Sequence, residues 1–272
     1  MTPVPDTAPA ARLAGATLSF GDRRIFDGLD LTVEPGEFLA VLGPNGSGKT
    51  TLLRTLLGLQ HLDAGTVTVG GRPPGRAASR TGYIPQQRPF APYTPLRARD
   101  LVGLGLDGTR LGPRVRRREH TRRVDELLER VGATGYADAP VGALSGGEQQ
   151  RLRVAQALAT DPDLLLCDEP LLSLDLKHQQ AVSALIDRRR TEHGTAVVFV
   201  THEINPVLEH VDRVLYLVGG RFRLGTPAEV LRTDVLSQMY GTRVEVIQTG
   251  GRLVVVGLPD ATTHHHHHDE EN

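Results

Sequence analysis

Residues 43–50 read GPNGSGKT, and the fold turns on this stretch. It fits G-x-x-x-x-G-K-[ST]. Gly43, Gly46 and Gly48 let backbone N–H groups turn inward around phosphate oxygens. Lys49 has the reach for β- and γ-phosphates, and Thr50 carries a hydroxyl suited to Mg²⁺. The surroundings agree. The apolar run Phe38–Leu42 stops at Gly43. In the KTTLLRTLLG that follows from Lys49, Leu52, Leu53, Leu56 and Leu57 share one helical face, and Gly58 suits the stop. The loop therefore joins a strand to a helix N-terminus, whose dipole favours an anion. The chain contains two lysines, Lys49 and Lys177, so a chance match to this pattern is remote.

Outward from the loop, short apolar strands alternate with helices. LAGATLSF and LDLTVEPGEFLAVLG alternate as strands around the turn GDRR, and GTVTVGG is a further strand and turn. DLLLCDEP and TAVVFVTH read as buried strands around a helix at 176–192, and RVLYLVGGRF reads as a hairpin. This pattern predicts an α/β fold with a mostly parallel sheet. An antiparallel β subdomain precedes it. A Pro- and Arg-rich stretch with a helical pattern over 122–131 predicts a helical insertion at about 88–160. The expected division is a flexible tail at 1–12, one large domain at 13–240, an appendage at 241–260 and a His/acidic tail at 261–272.

Composition narrows the function. Net charge is −1 in 272 residues, which offers no basic surface for nucleic acid. One cysteine, Cys167, excludes an internal disulfide and is expected to pack as a small hydrophobe. No apolar run approaches the ~18 residues of a membrane helix. The opening MTPVPDTAPAARLAG lacks a basic region and an apolar core, and so reads as a tail rather than a leader. The arginine cluster at 114–123 reads as a solvated helix face, with contact to lipid headgroups or a membrane partner as the alternative.

Two more stretches carry chemistry. In LLLCDEP, at 164–170, Asp168 ends a buried strand, where α/β folds bind ligands. Asp168 can hold Mg²⁺, and Glu169 can orient or deprotonate an attacking water. In ALSGGEQQRLRVAQALA, Ser145 and Glu148 make a capping box, with Leu152, Ala155 and Leu158 on the buried face. Gly146 and Gly147 are poor helix formers in a first turn. They suit a helix end that must come close to an anion.

LSGGE closely resembles the signature of ATP-binding-cassette (ABC) proteins, and the resemblance covers about 18–240. The P-loop NTPase core, ATP and Mg²⁺ follow as implications. Phe20 resembles the aromatic against adenine, Gln86 in GYIPQ the Q-loop glutamine, Asp175 in SLDL the D-loop aspartate, and His202 in FVTHE the switch histidine. The implied catalytic set is Glu169, His202 and Gln86. Thr50, Gln86 and Asp168 would hold Mg²⁺. The implied nucleotide contacts are Phe20, Gly43, Pro44, Asn45, Gly46, Ser47, Gly48, Lys49, Thr50, Thr51, Ser145, Gly146, Gly147, Glu148 and Asp175. Two positions depart from the family pattern: Phe20 replaces the commoner Tyr, and Glu148 replaces Gln. Two copies, or a copy and a paralogue, would close head to tail over ATP beneath a membrane permease, with a substrate-binding protein further off. The expected location is the inner face of the cell membrane.

The wording of PLRARDLVGLGLDG, DEPLLSLDLKHQ and THEINPVLEHVDRVLYL resembles ATPases of zinc- and manganese-type importers. A siderophore, haem or other-substrate transporter is the alternative, followed by a non-transport ABC ATPase. His264, His265, His266, His267 and His268 stand before Asp-Glu-Glu-Asn. Imidazoles beside carboxylates suit Zn²⁺, and a purification remnant is the other reading.

Overall fold

A computed structural model describes residues 8–86, 89–108 and 117–257. The histidines at 264–268 lie outside these residues, so their expected metal role has no structural counterpart here.

Strands β1 (Ala11–Phe20) and β2 (Arg23–Val33) form a long antiparallel pair. β3 (Phe38–Leu42) follows and is buried along its whole length. The phosphate loop then leads into α1 (Lys49–Leu56), and β4 (Ala64–Val69) returns to pair with β1. The first sheet therefore runs β2-β1-β4 and is antiparallel. After it come β5 (Thr81–Ile84), α2 (Ala98–Asp107), α3 (Arg117–Arg130), α4 (Gly146–Leu158) and β6 (Leu164–Asp168). Next are α5 (Leu176–His193), β7 (Ala196–Val200), β8 (Arg213–Val218), β9 (Arg221–Gly225), α6 (Pro227–Val230) and α7 (Thr233–Tyr240). A separate hairpin, β10 (Val244–Thr249) and β11 (Arg252–Gly257), ends the described chain.

The central sheet has the order β5-β6-β7-β3-β8-β9. All neighbours are parallel except β8 and β9. Strands reading FLAVL, LLLCD and AVVFV are buried on both faces because both faces are covered. Their side chains divide with the two-residue period of a strand. Leu39, Val41, Leu164, Leu166 and Val198 join α1 and the antiparallel sheet in one core. Phe38, Ala40, Leu165, Cys167 and Phe199 join α2 to α5 in the other. Cys167 is fully buried, as a small hydrophobe would be.

Helix α2 falls inside the expected helical insertion but has no helical pattern of its own in the sequence reading, and its glycines explain why. Gly103 and Gly105 lower helix propensity. Both sit at close approaches. A Cβ on Gly103 would lie 3.0 Å from the His120 ring, and one on Gly105 would run into the Gln156 carbonyl of α4. The glycines let three helices pack closely. Leu101 and Val102 supply the buried face.

Candidate functional site

β3 delivers the chain to the phosphate loop from inside the sheet. Gly43 (φ 139°) and Gly48 (φ 107°) hold backbone shapes that a side chain resists. A Cβ on Gly43 would strike the Leu217 carbonyl, and one on Gly48 the Ile25 side chain. Pro44 and Asn45 are exposed at the loop tip. The Ser47 N–H donates to the Pro44 carbonyl at 3.1 Å, and Thr51 lies half-buried in the first turn of α1. The Lys49 ammonium curls back into the loop and donates to the carbonyls of Gly43 (2.7 Å) and Pro44 (3.0 Å). Burial holds it below the ordinary lysine range, against the opposing pull of Glu169 and Asp168. The Ser47 hydroxyl is buried with no protein partner among the described residues. An unsatisfied hydroxyl in a glycine loop at a helix N-terminus fits a phosphate.

Two carboxylates face this loop from the end of β6. The Thr50 hydroxyl donates to Asp168 Oδ1 at 3.1 Å, and the Tyr83 hydroxyl lies 3.5 Å from Oδ2. Burial raises the Asp168 pKa above the usual carboxylate range. The Thr50 bond works against the rise, and the neighbouring charge of Glu169 adds to it. Hydroxyl, carboxylate and amide oxygens are the hard donors that Mg²⁺ takes. The donor set of Thr50, Asp168 and Gln86 therefore fits that ion.

Glu169 has φ 47°, a left-handed backbone that costs a non-glycine residue about 1–2 kcal/mol. Its N–H donates to the Val200 carbonyl at 3.0 Å, which fixes the turn to the end of β7. Its Oε2 accepts from Gln86 Nε2 at 3.3 Å and lies 3.9 Å from His202 Nδ1. Asp161 and Ser173 also have positive φ. Of the three, Glu169 is the residue beside both Gln86 and His202, and strain there points to a functional demand on its aim.

Asp168→Asn tests the burial of this charge. A carboxyl whose pKa rises on folding costs the fold nothing below its unfolded pKa of about 3.9, and its charge opposes folding increasingly as pH rises through the higher folded pKa, in full at neutral pH. The variant should therefore melt higher than the parent at pH 7 without nucleotide, by about 2–4 °C for each kcal/mol relieved. The gap should close as pH falls towards about 4, and stabilisation by Mg-nucleotide should be lost. Scanning calorimetry at the two pH values reads this out. An unchanged or lower melting temperature at pH 7 would contradict it.

A second cluster gathers at the start of α4. The Ser145 hydroxyl accepts from the Glu148 N–H (3.4 Å) and donates to Glu148 Oε2 (2.8 Å), which also accepts from the Ser145 N–H (2.8 Å). Ser145 and Gly146 are exposed, while Gly147 is buried beneath the His178 imidazole, where a Cβ would not fit. Asp175 N-caps α5, accepting from the His178 N–H at 2.9 Å and meeting its Nδ1 at 2.8 Å. These bonds hold the Asp175 carboxyl below its usual range. The cluster is an open, pre-capped helix end beside an exposed Leu176. Phe20 stands half-exposed at the end of β1, its ring free to stack. The sequence reading did not single out Tyr83 or His178. Tyr83 stands in the GYIPQ quoted for Gln86, on the strand beside β6, and His178 stands at the i+3 position from a helix cap.

A family model described as ABC transporter matches residues 26–172, which spans the phosphate loop, the signature and both carboxylates. The chain belongs to the ABC transporter family. As an ABC ATPase it is most informatively compared with three relatives. The hemin import ATP-binding protein HmuV of Streptomyces coelicolor is 38% identical over 265 residues, covering 93% of this chain and 93% of that protein. The zinc import ATP-binding protein ZnuC of Marinobacter nauticus is 35% identical over 238 residues, covering 88% and 86%. A metal-chelate type ABC transporter solved in an inward-facing conformation is 26% identical with a TM-score of 0.75, covering 93% of this chain and 98% of that one. The ABC ATPase reading and the predicted mostly parallel core with an antiparallel N-terminal sheet are thus borne out.

Proposed function

We propose that this chain is the ATP-hydrolysing subunit of a membrane importer for a metal-containing cargo. It would work as a head-to-tail pair beneath a permease. The observation that carries the reading is one convergence. The phosphate loop, Asp168, Glu169, Gln86 and His202 meet at the carboxyl ends of β3, β5, β6 and β7.

In this reading ATP is the substrate, and its phosphates displace the Lys49 ammonium from the Gly43 and Pro44 carbonyls. Bound Mg²⁺, held by Thr50 and Asp168 with Gln86 beside them, would spread the charge of the transferring phosphoryl group. Glu169 aligns the attacking water and draws its proton. His202 donates to the γ-phosphate, and Phe20 stacks on the base. The exposed Ser145, Gly146 and Asp175, with Gly147 packed behind them, complete the site of a second copy, so each pair encloses two nucleotides. A helix N-terminus with two glycines can come close to a phosphate without steric cost. The helical region around α2 and α3 would carry the motion to the permease. No helix among the described residues is long and apolar enough to cross a membrane, which suits a subunit held there by its partner.

Cargo is the finer question. Likeness to the hemin import protein and to the metal-chelate transporter runs nearly the full length of the chain, so an iron-bearing chelate comes first. A zinc or manganese ion, favoured by the sequence wording, comes second on the likeness to the zinc import protein. A substrate-binding protein would present either cargo to the permease. The test is reconstitution with the co-purified permease in vesicles, followed by elemental analysis of ATP-dependent uptake of hemin, Zn²⁺ and Mn²⁺. Uptake is expected with chain, permease and ATP together, and none with the chain alone. Robust uptake by the chain alone, or ATP turnover indifferent to the permease, would overturn the subunit reading.

A further inference from the structure

We propose that the C-terminal hairpin β10–β11 acts as a strut that positions the His202 loop, and that Asn205 is the positioning residue joining the two. The inference rests on the reading of His202 as the group that meets the γ-phosphate. His202 itself is exposed, and its contact to Glu169 is a loose 3.9 Å. Its aim must therefore come from the loop. That loop, 201–207, is rooted on β3 by the Thr201 N–H, which donates to the Val41 carbonyl at 3.2 Å, and beyond that root it is held at three places. The Thr201 hydroxyl donates to the Glu203 carbonyl at 2.8 Å and accepts from the Glu203 N–H at 3.1 Å. Ile204 and Val207 are buried in the core beneath it. The third hold comes from 48 residues away. Asn205 Nδ2 donates to the Leu253 carbonyl at 2.9 Å, and its Oδ1 accepts from the Leu253 N–H at 2.8 Å.

A single amide thus stands in for a strand partner, satisfying donor and acceptor of one residue on the outer edge of β11. Two hydrogen bonds to the same residue fix direction as well as distance, which a single bond would not do. The hairpin is fastened at its other side. Ser237 Oγ accepts from the Val244 N–H and donates to its carbonyl, both at 3.0 Å, and Thr233 Oγ1 accepts from the Val246 N–H at 3.0 Å. α7, which carries Ser237 and Thr233, meets β8 through the Tyr240 and Tyr216 hydroxyls at 3.0 Å. β8 pairs with β3, the strand that leads into the phosphate loop. A mechanical path therefore runs from the strand before the phosphate loop, through α7 and the hairpin, to the loop bearing His202. β7 already pairs with β3 up to Val200, so in this path the hairpin sets the aim of the loop beyond its root at Thr201. Mere anchorage of the hairpin by Asn205 is the competing account.

The two accounts differ in what a cut on the far side of the hairpin does. Hydrogen exchange would be followed on the full chain for the parent, Asn205→Ala and Ser237→Ala. The strut requires amides in 201–205 to exchange about tenfold faster in both variants, because Asn205→Ala removes both bonds at one end of the element and Ser237→Ala removes two of the three at the other. ATP turnover at saturating Mg-ATP should fall in both with KM for ATP unchanged, since the phosphate loop is untouched. Faster exchange confined to the hairpin in Ser237→Ala, with 201–205 at the parent rate, would overturn the strut. If Asn205→Ala does not fold, Ser237→Ala alone still decides. His202→Ala separates the two levels. If that variant turns over ATP at the parent rate, the reading of His202 fails, while the exchange data still decide whether the hairpin holds the loop.

Discussion

Glu169→Gln stops ATP turnover, by about 10³-fold or more, while ATP binding survives. Removal of a general base accounts for a loss of that order. The substitution is nearly isosteric, so the left-handed turn at φ 47° and the bond from its N–H to Val200 remain. The amide oxygen of a glutamine can still accept from Gln86, so the neighbourhood holds its shape. What disappears is the negative charge and the ability to take a proton from water. Lys49, Thr50 and Asp168 are untouched, so the phosphates and their ion still have their ligands. On the proposed assembly, an ATP-bound pair that cannot hydrolyse cannot open, and dimer should accumulate with ATP. Turnover and size-exclusion chromatography with Mg-ATP read both effects. Hydrolysis near the parent rate would remove Glu169 from the catalytic set.

The parts of this molecule that were legible in sequence are those with a local physical cause. FLAVL, LLLCD and AVVFV announce strands covered on both faces because nothing polar interrupts them. Ser145 and Glu148 announce a helix start because a capping box is complete within four residues. The phosphate loop is legible because its chemistry needs glycines and a lysine at fixed offsets. What was not legible depends on distant parts of the chain. The place of β3 between β7 and β8 is set by two crossovers and leaves no mark on FLAVL itself. Helix α2 hides behind glycines whose purpose, room for the His120 ring and the Gln156 carbonyl, exists only once α3 and α4 are packed. The left-handed backbone of Glu169 has no sequence signal, because a glutamate does not announce positive φ. Asn205 looks like an ordinary turn residue until Leu253 is brought beside it. Cargo is hardest of all, since the residues that read ATP are not those that meet the transported molecule.

A pair in which Lys49→Ala and Ser145→Arg lie on different chains should keep one working site, and a pair carrying both on one chain should keep none. Lys49 lies inside the phosphate loop, and Ser145 caps an exposed helix end. Head-to-tail closure pairs the loop of each chain with the cap of the other. With the changes on separate chains, one composite site takes both defects, and the other joins an intact loop to an intact cap. With both on one chain, each composite site takes one defect. The two pairs contain the same substitutions in the same number. Loss of the Ser145 cap costs on the order of 1 kcal/mol of α4 stability, and that cost is common to both. Any difference therefore reports the arrangement and not the folding. The separated pair should retain about half of the parent turnover when its two sites act independently, and the combined pair a small residue only, as removal of either half disables a group that acts as a unit. Differently tagged chains, purified as mixed pairs with the permease, allow the comparison. Turnover kept by the combined pair and lost from the separated one would mean that the loop and the cap of a single chain serve the same nucleotide, and equal turnover would mean that the two clusters share no site; on either result the head-to-tail site would have to be abandoned.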